Sequence, residues 1–433
     1  MKRFLLTILC TAICIVAVLT VFFHSAKRSF ENSLAEYSGS HTLSYFMPFK
    51  NGTDKTAFLL TDDGEVQLKL GAKIAAGAIK LSVVDAQGKT VFSEQGKEIA
   101  LNRNEHFPKG EYTAFLEFSN AFPAAAVFSV TKTGDSSASL IPLVSLDKNY
   151  EKITPGPEDH FKWPYYLYTP QKTTGPAMLV VPNNSGFVSD NMVYHEERAK
   201  SIVQGSARYG DKLGCPVLVP VFPRWEKEEN IYTHALDRDS LTTGDEDIKR
   251  LDVQLLEMIK DARKRLQERN VSLEEKVLLF GFSASGMFSN RFALLHPDKV
   301  KAAAIGSPGG WPIAPMDSFE GKRLSYPIGT ADVNELAGEG ANIGLFRQIP
   351  FYLFIGGEDK NDSVPYEDSY DKEDVSLIFE VFGQSPVERW PLAEKIYKAA
   401  GCNARFVTYP GVGHTITPEM EEDILQFYLQ NLK

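Results

Sequence analysis

Lys276-Val-Leu-Leu-Phe280 runs straight into Gly281-Phe-Ser-Ala-Ser-Gly286, and a helical pattern begins at once with Met287. A short apolar run bounded by glycine reads as a buried strand. The small residues that follow permit a turn tight enough to enter a helix directly, and such a turn projects its central side chain clear of the sheet. Ser283 occupies that centre. The usual pattern is G-x-S-x-G, whereas here its last position is Ser285. A serine-rich helix cap after a buried strand is the competing reading of the same residues.

The texture repeats on both sides of this turn. Strands are predicted at 177–181, 216–221, 276–280, 302–305, 351–355 and 404–408, alternating with helical patterns. That alternation is the signature of a mostly parallel sheet with crossover helices, an α/β architecture. Leu251, Leu255, Ile259, Ala262 and Leu266 recur at three- and four-residue steps and mark one crossover helix. The last helix is announced by Thr417 as N-cap, Pro418 at the first helical position and glutamates in the first turn.

The two final predicted strands each end in a chemically useful side chain. Phe351-Tyr-Leu-Phe-Ile355 is followed by Gly356-Gly-Glu-Asp359, and Arg405-Phe-Val-Thr408 by Tyr409-Pro-Gly-Val-Gly-His414. Groups just past the carboxyl ends of parallel strands converge on one rim of the sheet. The chain order Ser…Asp…His suits a nucleophile, an orienting carboxylate and a general base. Ser283, Asp359 and His414 are the candidate catalytic residues, with Asp362 as the alternative carboxylate.

Before this half, residues 31–130 read as strands. Val66, Leu68 and Leu70 alternate with polar neighbours, as do Ile79, Leu81 and Val83, and Tyr112, Ala114, Leu116 and Phe118. Turn signals at Asp62-Asp63-Gly64, Ala86-Gln87-Gly88 and Pro108-Lys109-Gly110 separate the runs. Period-two runs at this spacing predict a small antiparallel β-sandwich, too short for a propeller. Residues 131–160 read as a linker. At the start, Phe4 to Phe23 is an uncharged apolar stretch behind Lys2 and Arg3, long enough to cross a bilayer as a helix. We read it as an uncleaved signal anchor, with a cleaved signal peptide as the alternative, and either exports the rest of the chain. The resulting domain plan is 1–28 anchor or signal, 29–148 sandwich, and 149–433 catalytic domain, with a lid-like insert at 311–350.

The formal net charge is −10, and because residues 1–28 carry Lys2, Arg3, Lys27 and Arg28 and no acid, the part after residue 28 stands at −10 − 4 = −14. So acidic a body repels phosphate backbones and excludes a nucleic-acid partner. Four cysteines without a C-x-x-C pair exclude a disulfide framework and a cysteine zinc site, and Cys215 and Cys402 read as free thiols. His195-Glu196 lacks the second histidine of a zinc helix and reads as a solvated helix face. Asp359-x-Asn361-x-Ser363 begins like a calcium loop but has Val364 where glycine is required. No metal is expected. His234, after the second predicted strand, either lines the site or makes a structural hydrogen bond. Trp311 to Pro350 is longer than a crossover needs, so it is expected to roof the site, with Trp311 shaping a substrate pocket.

Taken together, Gly281-Phe-Ser-Ala-Ser-Gly286, Gly306-Ser-Pro-Gly-Gly-Trp311, Gly356-Gly-Glu-Asp359 and Pro410-Gly-Val-Gly-His414 resemble the α/β-hydrolase superfamily. The likeness spans Trp163 to Lys433 and is of the type of secreted serine esterases such as polyhydroxybutyrate depolymerases and feruloyl esterases. It implies ester hydrolysis through an acyl-serine intermediate, no cofactor, and a small-molecule or polymeric ester as the partner. It also implies an oxyanion hole made by the Ala284 N–H and a donor in Pro182-Asn-Asn-Ser-Gly186, from either Asn183 or Asn184. No partner protein is implied. On sequence alone, a prolyl-oligopeptidase-like peptidase and a binding protein with a relic hydrolase fold stay open beside the esterase.

Overall fold

The structure is a computed structural model that describes residues 41–47, 50–74, 76–122, 124–133, 140–143, 146–186, 188–338, 341–366 and 369–432. The segment read as an anchor or signal lies outside these residues. Among the described residues no helix is long and apolar enough to cross a membrane. The chain divides into two compact units between Ser145 and Leu146.

Among its described residues the first unit holds nine strands: β1 (His41–Met47), β2 (Lys50–Leu60), β3 (Gly64–Lys73), β4 (Ala76–Asp85), β5 (Thr90–Gly96), β6 (Glu98–Phe107), β7 (Gly110–Phe122), β8 (Ala124–Thr133) and β9 (Leu140–Leu143). They form two sheets, in the orders β1-β8-β3-β6 and β5-β4-β7-β2-β9, and every pairing is antiparallel. Because side chains alternate across a strand, Val66, Leu68 and Leu70 of one sheet meet Ile79, Leu81, Val83, Ala114 and Leu116 of the other in a single core, all fully buried.

The second unit is built on an eight-stranded sheet. Its strands are β10 (Tyr150–Ile153), β11 (Tyr165–Tyr168), β12 (Leu179–Val180), β13 (Val217–Pro220), β14 (Val277–Phe282), β15 (Val300–Gly306), β18 (Phe351–Gly356) and β19 (Ala404–Tyr409), with a small hairpin, β16 (Ser318–Phe319) and β17 (Lys322–Arg323), apart from it. The spatial order is β10-β11-β13-β12-β14-β15-β18-β19. Strands β10 and β11 run antiparallel, and all pairings from β13 through β19 are parallel. Helices α1 (Met192–Leu213), α2 (Arg238–Thr242), α3 (Leu251–Glu268), α4 (Ala284–Leu295), α5 (Val333–Ala337), α6 (Ile343–Gln348), α7 (Lys372–Val381), α8 (Pro386–Ala399) and α9 (Pro418–Asn431) surround it. One apolar core joins α1 and α9 to one face of the sheet, and another joins α3, α4 and α8 to the opposite face. This is a three-layer arrangement, a mixed sheet between two layers of helices. Strand β10 occupies residues assigned to the linker, and β11 lies between it and the first predicted strand. Both are four residues long, and β10 has only Ile153 fully buried.

Helix α7 carries an electrostatic penalty. Burial, and then the charge of Asp371, push the half-buried Asp374 carboxyl up to about 7. Its folded value lies above the unfolded one, so its contribution favours the fold in acid and is lost as pH rises from about 4 through 7. Asp374→Asn should therefore raise stability by about 1–2 kcal/mol at pH 8 and scarcely at pH 4. Thermal melts at the two pH values read this out, and an equal shift at both would contradict it.

Candidate active site

The tight turn after β14 has a specific steric basis. Ser283 sits at φ 61° and ψ −128°, a strained backbone for a residue with a side chain. A Cβ at Gly281 would stand 2.1 Å from the Ser285 carbonyl oxygen, so the turn closes only with glycine there. The Ser283 N–H donates to the Gly306 carbonyl at 3.0 Å, which ties the turn to β15. Ser285 faces backward: its hydroxyl donates to the Phe282 carbonyl at 2.9 Å and accepts from the Phe282 N–H at 3.1 Å. The second serine thus closes the turn, and the first crowns it.

His414 and Asp359 meet beyond the ends of β19 and β18. The imidazole Nδ1 and the Asp359 Oδ2 lie 2.8 Å apart, and the carboxylate is 2% exposed. Burial alone would raise this carboxyl. The hydrogen bonds from His414 and the Asn361 N–H outweigh it and hold Asp359 below the usual carboxylate value. An ionised Asp359 makes Nδ1 the donor, which leaves Nε2 as the acceptor on the neutral ring. The Asn361 side-chain amide faces that nitrogen at 3.1 Å and also approaches the Ser283 hydroxyl at 3.4 Å. Asn361 therefore sits between nucleophile and base.

Asp362, the alternative carboxylate, is engaged elsewhere. Both its oxygens accept from Arg389 at 2.9 Å, and that guanidinium, 1% exposed, also donates to the Gly310 and Gly383 carbonyls. It anchors the loop that carries Asn361 to helix α8.

A cavity of about 460 Å³ opens over Ser283 and Ala284, walled by Gly186, Val188, Arg224, Tyr232, Met287 and residues 361–363 among others. The N–H groups of the first turn of α4, Ala284 among them, have no intrahelical acceptor and carry the positive end of the helix dipole.

Neither Trp311 nor His234 borders this cavity. Trp311 is buried, stacks on Phe382 at 4.0 Å, and donates its indole N–H to the Ile328 carbonyl. The insert 311–350 packs into the body through Trp311, Leu324, Tyr326 and Ile328, and none of its described residues lines the cavity. The expected roof is thus a structural layer. His234 is 1% exposed and donates from Nε2 to the Phe222 carbonyl at 2.8 Å. Burial, and then the neighbouring His195, push its value down to about 3, so it stays neutral.

His195 is not on a solvated face. It is fully buried, and burial lowers its value as well. The two histidines clamp Ser185: its hydroxyl bonds His195 Nδ1 at 2.8 Å, its N–H points to His234 Nδ1 at 3.4 Å, and its carbonyl accepts from the Tyr194 hydroxyl. Asn183 is buried too, its amide spent on both backbone groups of Phe222. Asn184 is half-buried and accepts from the Gly186 N–H. Neither asparagine lines the cavity; Gly186 and Val188 are the loop residues that do.

No family profile matches the chain, and no curated protein matches it. Among solved structures it is similar to poly(aspartic acid) hydrolase-1 from Sphingomonas sp. KT-1, at 15% identity over 65% of this chain and 98% of that one, with a TM-score of 0.45. It is also similar to a thermostable esterase, at 15% identity over 82% of this chain and 92% of that one, TM-score 0.38. An S-formylglutathione hydrolase from Agrobacterium tumefaciens aligns at 14% identity over 66% and 95%, TM-score 0.38. Likenesses this distant say nothing of substrate, and the architecture rests on the strand order and the turn at Ser283.

Proposed function

We propose that this protein is a serine hydrolase that cleaves carboxylic esters through an acyl-serine intermediate. The observation that carries the reading is the hydrogen bond between His414 and the buried Asp359 beside a serine on a strained strand-to-helix turn. Displacement of the Asn361 amide by substrate lets His414 Nε2 take the Ser283 proton as the oxygen adds to the acyl carbon. The carbonyl oxygen, now an oxyanion, faces the Ala284 N–H at the positive end of α4, with the loop at Gly186–Val188 across the cavity. Collapse returns the electron pair, and the protonated His414 hands its proton to the departing alkoxide. Water then enters, loses a proton to His414, and releases the acid and Ser283 by the same steps in reverse.

Incubation of the purified protein with esters of varied acyl chain and leaving group, with peptide amides alongside, tests this. Turnover of esters supports the reading. Turnover of amides alone supports the peptidase, although the first unit is a pair of antiparallel sheets and not a propeller. On the strength of the segment from Phe4 to Phe23 we further propose an extracytoplasmic, membrane-anchored or secreted protein; recovery of the intact chain in the cytosolic fraction would overturn that.

A further inference from the structure

We propose that this site selects esters whose alcohol part carries an aromatic ring, and that Tyr366 is the specificity-determining residue that meets that ring. The inference deepens the hydrolase reading above and rests on it.

Tyr366 is 76% exposed, whereas the other exposed large apolar side chains among the described residues reach at most 39%. A single apolar side chain in solvent is ordinary. This one borders the cavity that opens over Ser283 and Ala284. Its backbone is held from several sides. Asp362 is paired with Arg389 through two bonds of 2.9 Å, and the Ser363 hydroxyl donates to the Gly309 carbonyl. Val364 is fully buried, and the Tyr366 N–H donates to the Ser363 carbonyl at 3.2 Å. The ring therefore stands at the cavity on a pinned stretch of chain, so a ligand that stacks on it has little backbone to order.

The chemistry decides which end of an ester this ring faces. His414 Nε2 hands its proton to the departing oxygen, so the alcohol part of a bound ester lies beside that nitrogen. The Asn361 amide stands 3.1 Å from Nε2, and Asn361 opens the run of residues 361–366 that ends in Tyr366. As the amide gives way, the alcohol part comes to rest against this run. Of its members, Asn361, Asp362, Ser363 and Tyr366 border the cavity. The Asp362 carboxylate is spent on Arg389 and the Ser363 hydroxyl on Gly309, which leaves the Tyr366 ring as the apolar surface of this wall. Val188 and Met287 add apolar surface in the same cavity, and a thioether adapts to an aromatic neighbour. Aromatic pairs gain free energy beyond the area they bury, so a ring is favoured here over an alkyl group.

The test uses the full chain and three esters. Methyl acetate is the parent. A phenyl group on its alcohol carbon gives benzyl acetate, and the same group on its acyl carbon gives methyl phenylacetate. The two alkoxides released are of similar basicity, so the comparison reads binding and not leaving-group strength. In the wild type, benzyl acetate is expected to exceed methyl acetate by about tenfold or more in kcat/KM, with a clearly smaller gain for methyl phenylacetate. Tyr366→Ala should lower the benzyl-to-methyl ratio about tenfold, chiefly through KM, and Tyr366→Phe should keep it within about twofold. No gain for benzyl acetate, or a gain as large for methyl phenylacetate, overturns the inference without needing a variant. An unchanged ratio in a Tyr366→Ala protein whose thermal melt matches the wild type overturns it as well. Absence of turnover on all three esters, with no labelling of Ser283 by a fluorophosphonate, would instead remove the hydrolase reading, and this inference with it.

Discussion

Ser283→Ala is expected to lower kcat by on the order of 10⁶ and to abolish labelling by a fluorophosphonate probe. The sequence offers two hydroxyls within three residues, and the turn separates their duties. Ser283 caps the turn at φ 61°, where its oxygen is within reach of the Asn361 amide that also meets His414. A serine hydroxyl is a weak nucleophile without an adjacent base, so only the one beside His414 can react. The Ser285 hydroxyl is occupied by the Phe282 N–H and carbonyl, and it points back into the turn. Ser285→Ala removes local bonds worth about 1 kcal/mol, so it should cost less than about tenfold in kcat. Its first visible effect should be on thermal stability. Mass spectrometry of the probe-labelled protein decides between the two, and an adduct on Ser285 would reverse the assignment.

What the sequence reveals of this protein follows from how local each signal is. The apolar runs that became β14, β15, β18 and β19 are short, bounded by glycine or turn residues, and buried along nearly their whole length or paired in register with such a strand. Their carboxyl ends fix where Ser283, Asp359 and His414 emerge, so a reading of strands alone brings the three to one rim. The alternating runs around Val66, Ile79 and Ala114 were equally plain, since one residue of register decides which face is dry.

Strands β10 and β11 were obscure for the opposite reason. Four residues of Tyr-Glu-Lys-Ile or Tyr-Tyr-Leu-Tyr carry too little periodicity to stand out, and their place at the antiparallel edge of the sheet is set by neighbours distant in sequence. Trp311 misled because an aromatic residue in a long connection looks the same whether it roofs a pocket or fills a core; only the Phe382 ring brought against it tells the difference. His195 misled because its partners, Ser185 and Ser189, come from a loop whose course no helical pattern reveals.

The two carboxylates at 359 and 362 provide the sharpest remaining contrast. Asp359→Asn should leave the fold intact and lower kcat by roughly 10⁴. Its carboxylate accepts from His414 Nδ1 at 2.8 Å and from the Asn361 N–H at 2.9 Å. An asparagine can keep the second bond but can present an N–H to the ring, which favours the tautomer with its proton on Nε2, where the Ser283 proton must go. It also removes the negative charge that stabilises the imidazolium during attack. Asp362→Asn acts on a different quantity. It breaks a two-bond pair with an Arg389 that is 1% exposed, and removal of one partner from such a buried pair costs about 3–5 kcal/mol of stability because the other charge stays behind. The loop that carries Asn361 would loosen, the melting temperature would fall, and kcat measured well below the melt should stay within about tenfold of wild type. Side-by-side kinetics and thermal melts of the two variants separate these effects, and a 10⁴-fold loss at Asp362→Asn with Asp359→Asn near wild type would transfer the orienting role to Asp362.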